Sequence, residues 1–414
     1  MGRYEFEDCI TVCDECDLVN RLPELKSNQK LRCTRCHHIL IRLPKRGLEK
    51  ILAYGSVALL MLVLSLSLPF LSLTYAGMGR TVTFWQSLSV LLGESSVFLG
   101  ALIVFALLVL PASYLLSAVV LSWSIKKRKY NALQRCLLQT VIVIKPWLMI
   151  DVFLVGALVA LVKMQTIATV EIGLSFWAFC IYVFCLFKTG PLIDRRWLWY
   201  QVAGPVVLKQ EILSTLKAIS SRSQGMAGCH FCGAITSIDA SHCGRCCHKI
   251  YSRKPASIKV TVALLVVALM MFIVANLLPI MQTTFLGMNE PSTIVGGVYQ
   301  LWGIGSYAIS IIILLASIFI PLAKMLSLGW LCWQASYPND RPIAQKLTLY
   351  RITKVIGRWS MMDIFVVVIL TGLIQVGGVI SIVPGSAALS FASVVILTML
   401  AAMTFDSRLL LDQE

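Results

Sequence analysis

The sequence predicts an all-α polytopic membrane protein made of two tandem modules. Each module is a cytoplasmic zinc ribbon followed by a four-helix transmembrane bundle, giving eight spans with both termini inside. Three observations predict this. The 414 residues are 58% hydrophobic, and the mean hydropathy of +0.81 is that of a membrane protein. Eight of the 14 cysteines form four Cys-x-x-Cys pairs, two ahead of each apolar half. The chain also repeats its own residues at an offset near 210.

The first ribbon carries Cys13, Cys16, Cys33 and Cys36, with sixteen residues between the pairs. Two thiolate knuckles at this spacing close a tetrahedron around zinc. Cys9, His37 and His38 lie close enough to leave the ligand set open. The second ribbon carries Cys229, Cys232, Cys243 and Cys246, with Cys247 able to replace Cys246. Two structural zinc ions are expected; iron and a redox dithiol are the competing readings.

Eight apolar runs follow the ribbons: 51–73, 97–123, 147–166, 172–187, 258–281, 307–333, 360–382 and 387–404. At about 1.5 Å per residue each approaches or exceeds a core about 30 Å thick, the fourth being at the short end. Residues 124–145 combine Lys126-Lys127-Arg128-Lys129 with an amphipathic pattern, which predicts an interfacial helix. The expected organisation is a ribbon over 1–46, a membrane module over 47–190 and a linker over 191–228. A second ribbon over 229–254, a second module over 255–405 and a tail over 406–414 complete it.

Residue correspondences support the duplication. Pro69, Gly77-Met78 and Pro111 recur as Pro279, Gly287-Met288 and Pro321. Trp147 and Asp151 recur as Trp359 and Asp363, and Asp194 and Arg196 as Asp406 and Arg408. An even number of spans per half makes the repeats parallel. Basic residues cluster before span one, between spans two and three, between the halves and between spans six and seven. The positive-inside rule then puts both termini and both ribbons in the cytoplasm, where thiolates stay reduced. The first long apolar run begins only at Ile51, after a polar stretch, so no cleavable signal peptide is expected.

Two charges fall inside apolar runs of the second half: Lys324 in span six and Asp363 in span seven. An ionisable residue at membrane depth is a functional-site hypothesis by default. The plainer alternatives are an ion pair locking two helices or a lysine snorkelling to the interface. Ser310, Ser317 and Lys324 are seven apart and share a helical face, as do Ser360 and Asp363. Pro321 cannot donate to the carbonyl of Ser317, which weakens the helix beside Lys324. Thr398 and Asn276 extend the polar cluster, although serines and threonines in such helices equally well bond their own backbone. In the first half Asp151 matches Asp363, but Tyr114 stands where Lys324 stands. The second half is therefore expected to be the active one, with Asp363 carrying a proton and Lys324 setting its affinity. A mirror site of Asp151 and Lys163 is the lesser alternative, since these two lie some three turns apart.

The positive charge of +16 is spread over membrane flanks, not gathered into a basic face with interleaved aromatics, which argues against nucleic-acid binding. No nucleophile–base constellation, phosphate loop or dinucleotide motif is present, so an enzyme is not expected.

The segments GRWSMMDIF (357–365), ANLLPIM (275–281), PSTIVGG (291–297), ASIFIPLAKM (316–325), DRRWLW (194–199) and MTFDSRLLLD (403–412) resemble the paraquat-inducible protein A family, as do the two ribbons and the 4+4 layout. The resemblance implies a Gram-negative inner-membrane protein with tetraspanin-like four-helix modules. It implies a partner, an MCE-domain protein forming a hydrophobic tunnel across the periplasm, and a cargo of phospholipid or another hydrophobic molecule. The family's polar cluster matches Ser317, Lys324, Ser360, Asp363 and Thr398, and a lysine in span three matches Lys163. The acidic residue that follows that lysine in lipophilic-tunnel relatives is absent; Thr166 stands there. A self-contained exporter of toxic amphiphiles and a redox-responsive sensor remain the alternatives.

Overall fold

The computed structural model describes residues 10–23, 26–75, 78–86, 88–89, 100–101, 104–127, 132–164, 169–204, 219–285, 288–303, 305, 307–337, 343–359, 375–376 and 380–411. Ser360, Asp363 and most of the expected seventh span lie outside them.

Strands β1 (Ile10–Val12), β2 (Val19–Arg21), β3 (Lys30–Arg32) and β4 (Ile39–Arg42) form two antiparallel hairpins. Each hairpin turns on a Cys-x-x-Cys knuckle. In the second ribbon one knuckle lies between β8 (Met226–Gly228) and β9 (Ile235–Ser237). All four knuckles are built alike. The residue after the second cysteine, namely Asp17, His37, Gly233 or Cys247, has φ between 56 and 75°. Its N–H donates to the carbonyl of the first cysteine at 2.8–3.0 Å. That left-handed step turns both thiols inward.

From the first ribbon, α1 (Gly47–Ser67) runs away to the hairpin β5 (Leu71–Tyr75) and β6 (Met78–Val82). A π-turn, Phe105–Val109, leads into α2 (Leu110–Lys126), which returns. Then come α3 (Ala132–Ile144), α4 (Ile150–Met164), strand β7 (Thr169–Ile172), which pairs with β5, and α5 (Leu174–Leu192). Helix α6 (Arg195–Ala203) ends this half, its N-terminus capped by Asp194, whose carboxylate accepts from the N–H groups of Arg196 and Trp197.

The second half follows the same order. Helix α7 (Ser257–Leu277) leads to β10 (Met281–Phe285) and β11 (Met288–Ser292), then α8 (Ile294–Gly303) and α9 (Tyr307–Leu314). A second π-turn, Leu315–Phe319, precedes α10 (Ile320–Ser336). After α11 (Ile343–Trp359) come β12 (Gln375–Val376), β13 (Ile380–Pro384), α12 (Ser386–Thr404) and a 3-10 turn, Ser407–Leu410. Strand β13 pairs with both β10 and β12. A Cβ on Gly385 would lie 2.2 Å from the Pro279 carbonyl oxygen, and one on Gly173 2.3 Å from that of Pro69. Only glycine lets the closing helix of each half start against its hairpin.

Among the described residues seven helical stretches are long and apolar enough to cross a membrane. One of them runs from Ala132, through the 3-10 turn Lys145–Trp147, to Leu158. Several expected boundaries move. The first and fifth spans stop at Ser67 and Leu277, because Leu71–Tyr75 and Met281–Phe285 are strands. Their β-branched and aromatic residues pair across a sheet at the end opposite the ribbons.

Candidate metal centres and an intramembrane lysine

In each ribbon four Sγ atoms converge within 4.8 Å of one another. Cys13–Cys36 and Cys16–Cys33 lie at 3.5 and 3.4 Å, and Cys229–Cys246 and Cys232–Cys243 both at 3.5 Å. Four thiolates about 2.3 Å from one ion lie about 3.8 Å apart in a tetrahedron, so the sets fit a metal ion and are compatible with zinc. Asn20 aims its Nδ2 at the Cys33 sulfur, 3.7 Å away, as an outer hydrogen-bond donor does. Two of the open ligand questions, Cys247 and His38, close in the geometry. Cys247 is exposed in the left-handed knuckle position, and His38 Nδ1 lies 3.0 Å from Glu15 Oε1, engaged there instead. Cys9 lies outside the described residues.

The acidic knuckle Asp14–Asp17 is gripped by arginines from across the chain. Arg195 and Arg196 reach Asp14 Oδ2 at 2.6 and 3.0 Å, and Arg408 reaches Asp17 Oδ1 at 3.5 Å. Burial opposes the charge of Asp14, but Arg195, Arg196 and Arg408 outweigh it and hold its carboxyl well below the usual range. Arg195 also donates to the carbonyl of His230 in the second ribbon. The two ribbons touch directly: a Cβ on Gly228 would lie 2.9 Å from the Cβ of Val12. Equivalent positions make equivalent contacts. Gln139 of α3 donates to the Cys246 carbonyl at 3.4 Å, and Arg351 of α11, 212 residues on, donates to the Cys36 carbonyl at 2.8 Å. Each of these two helices thus contacts the other half's ribbon. Asp194 and Asp406 likewise accept from the N–H groups of Arg42 and Lys254, both at 3.1 Å.

Lys324 lies on α10 and is 3% exposed. Its ammonium donates to the Gly357 carbonyl at 3.4 Å, the outer edge of a hydrogen bond. A Cβ on Gly357 would lie 2.8 Å from Lys324 Cε and 2.9 Å from Nζ. Glycine at 357 is what lets the lysine lie across α11, a requirement that GRWSMMDIF does not announce. Ser317 (0%) and Thr398 (1%) are also buried. Ser317 sits in the π-turn, two turns before Lys324, and donates to Ile313 O at 2.8 Å, while Thr398 on α12 donates to Val395 O at 3.0 Å. Ser310 donates to Val298 O, 2.8 Å away on α8. Asn276 is half-buried and gives its amide to Phe272 O on its own helix at 2.8 Å. Asp151 lies in the first turn of α4, half-buried, and Lys163 lies in the last turn of that helix.

Seven apolar helical stretches, two four-cysteine clusters able to hold metal at one end and small sheets at the other define a polytopic membrane protein. Residues 48–203 and 258–414 each match the family described as Paraquat-inducible protein A. Intermembrane transport protein PqiA of Escherichia coli (strain K12) is 37% identical over 405 residues, covering 97% of this chain and 95% of that protein. A probable intermembrane transport protein of Haemophilus influenzae is 27% identical, covering 97% and 95%. Lipophilic envelope-spanning tunnel protein A of E. coli K12 is also 27% identical, covering 97% and 90%. The chain belongs to the paraquat-inducible protein A family. No solved structure matches it.

Proposed function

We propose that this protein is the inner-membrane component of a system moving lipid or another hydrophobic molecule across the Gram-negative envelope. It has two tandem four-span modules with zinc-clipped ribbons in the cytoplasm, and its sheets face the periplasm, where an MCE-domain tunnel protein docks. The observation that carries this reading is Lys324: a lysine buried among apolar helices with one long hydrogen bond among the described residues. Such a group costs several kcal/mol unless a counter-charge or water meets it. Asp363 supplies that counter-charge, and with Ser317, Ser360 and Thr398 it forms a polar chamber through which a proton gradient couples to transport. The relatives named as intermembrane transport and envelope-spanning tunnel proteins support the direction of this reading. The reading needs no bond-making chemistry.

Affinity purification of the tagged chain from its native membrane tests the assembly. Recovery of an MCE-domain protein together with lipid is the expected result. Isolation of the chain alone, free of lipid under mild detergent, would overturn the proposal.

A further inference from the structure

The first half has polar positions equivalent to those of the second, and they converge on a cavity of their own. Tyr114 and Asp151, the counterparts of Lys324 and Asp363, both line a cavity of about 470 Å³ at the ribbon end. Arg42 of β4, Lys145 and Leu148 of the turn between α3 and α4, and Phe187 of α5 form further walls. Tyr114 is wholly buried, and its hydroxyl lies close to that of Thr189 on α5, which donates to Leu186 O at 2.7 Å, so the lone pairs of Tyr114 are left to accept. Asp151, half-buried, has neither an ion pair nor a hydrogen bond among them. The other carboxylate in the wall, Asp194, is already engaged by the N–H groups of Arg42, Arg196 and Trp197. On the opposite side, Lys145 donates to the carbonyls of Gly190 and Ile193 at 2.9 and 2.7 Å, and Arg42 to that of Pro191 at 3.5 Å. These carbonyl bonds orient two cations at the cavity wall, and the Asp194 carboxylate offsets part of the charge of Lys145.

We infer that this cavity binds the headgroup of a zwitterionic, amine-bearing phospholipid, with its phosphodiester at Arg42 and Lys145 and its ammonium at Asp151 and Tyr114. A purely anionic ligand would face the unpaired carboxylate of Asp151. A purely cationic one would face Arg42 and Lys145, and either mismatch leaves a partly buried charge uncompensated. Tyr114 fits an ammonium doubly, because its hydroxyl oxygen accepts a hydrogen bond and its ring face attracts cations. The volume is in the range of small-ligand sites and too small for two acyl chains. The chains remain in the bilayer beyond Phe187, which is 65% exposed at the rim. The inference rests on the protein lying in a membrane but not on its transporting anything, so loss of the Lys324 mechanism would leave it standing.

Native mass spectrometry of the full chain in detergent tests it, with phosphatidylethanolamine, phosphatidylglycerol and soluble glycerophosphoethanolamine as probes. We expect phosphatidylethanolamine to be retained about tenfold better than phosphatidylglycerol. Asp151→Asn should abolish that preference while retaining phosphatidylglycerol undiminished, and Tyr114→Phe should reduce the preference severalfold. Unchanged metal content and melting temperature show that the variants are folded; should Asp151→Asn fail this check, Tyr114→Phe alone decides. Equal retention of the two lipids by the wild type, or a preference that survives the deciding variant, would overturn the site. Binding of glycerophosphoethanolamine as tight as that of the lipid would overturn the bilayer as its source.

Discussion

At the scale of single residues, the second half turns on a contact between a lysine and a glycine in different helices. The methylene chain of Lys324 occupies the space that a side chain at 357 would fill. Gly357→Ala should therefore displace the ammonium and destabilise the protein by about 1–3 kcal/mol, the usual cost of overpacking. Thermal unfolding in detergent checks this; an unchanged melting temperature would mean that the lysine has slack to move. Lys324→Met tests the counter-charge. It keeps the volume but leaves the carboxylate of the proposed pair, Asp363, buried and unmatched, so stability should fall by about 3–5 kcal/mol, and adding Asp363→Asn should recover most of it. An unchanged melting temperature in Lys324→Met would contradict the pairing. The lysine's burial was legible in the sequence from its place in an apolar run. Its partner at Gly357 was not, because a glycine's role depends on what crosses over it.

At the scale of elements, α3 and α11 each reach across to the other half's ribbon through Gln139 and Arg351. Arg351 also grips Glu15, through Nε at 2.8 Å. Arg351→Ala should raise hydrogen exchange in β3, β4 and α11 severalfold and leave α1 and α5 unchanged; uniform protection would contradict the docking. Glu15 adds a pH dependence of known sign. Burial raises its pKa, but the hydrogen bonds from His38 and Arg351 outweigh this and hold it below the ordinary glutamate value. Its contribution is complete above the unfolded pKa of about 4.3 and is lost as pH falls through the folded value. In Glu15→Gln that part of the acid sensitivity should vanish, as read from melting temperatures between about pH 3 and 7 with metal content followed alongside. The amphipathic pattern of 124–145 foretold a helix, which the structure places at Ala132–Ile144, within an apolar stretch that continues to Leu158. It could not say which ribbon the helix would meet, since that contact joins residues 107 apart in the chain.

At the scale of the whole molecule, the ribbons act as a joint. Asp14 and Asp17 collect arginines from both halves, and the second ribbon packs on the first. Metal analysis should find about two zinc ions per chain. Their removal by a chelator should expose the ribbons and the end of α11 to exchange while the membrane helices remain helical. A chain that carries no metal and keeps those ribbons protected would contradict the joint. Residues recurring 210 to 212 apart agree with the two segments, 48–203 and 258–414, that match the family, and the two four-cysteine clusters were readable from cysteine spacing alone. The sheets at the far end were not read. Leu71–Tyr75 and Met281–Phe285 are apolar enough to extend the helices before them, and only pairing with distant β7 and β13 makes them strands.

The central claim is that Lys324 and Asp363 together drive transport. Lipid transfer between reconstituted inner-membrane vesicles and acceptor membranes, with a proton gradient imposed, tests it most directly. Lys324→Met and Asp363→Asn, each folded and each bound to its partner, should both reduce gradient-stimulated transfer at least tenfold. Transfer at the wild-type rate in either variant would contradict the account.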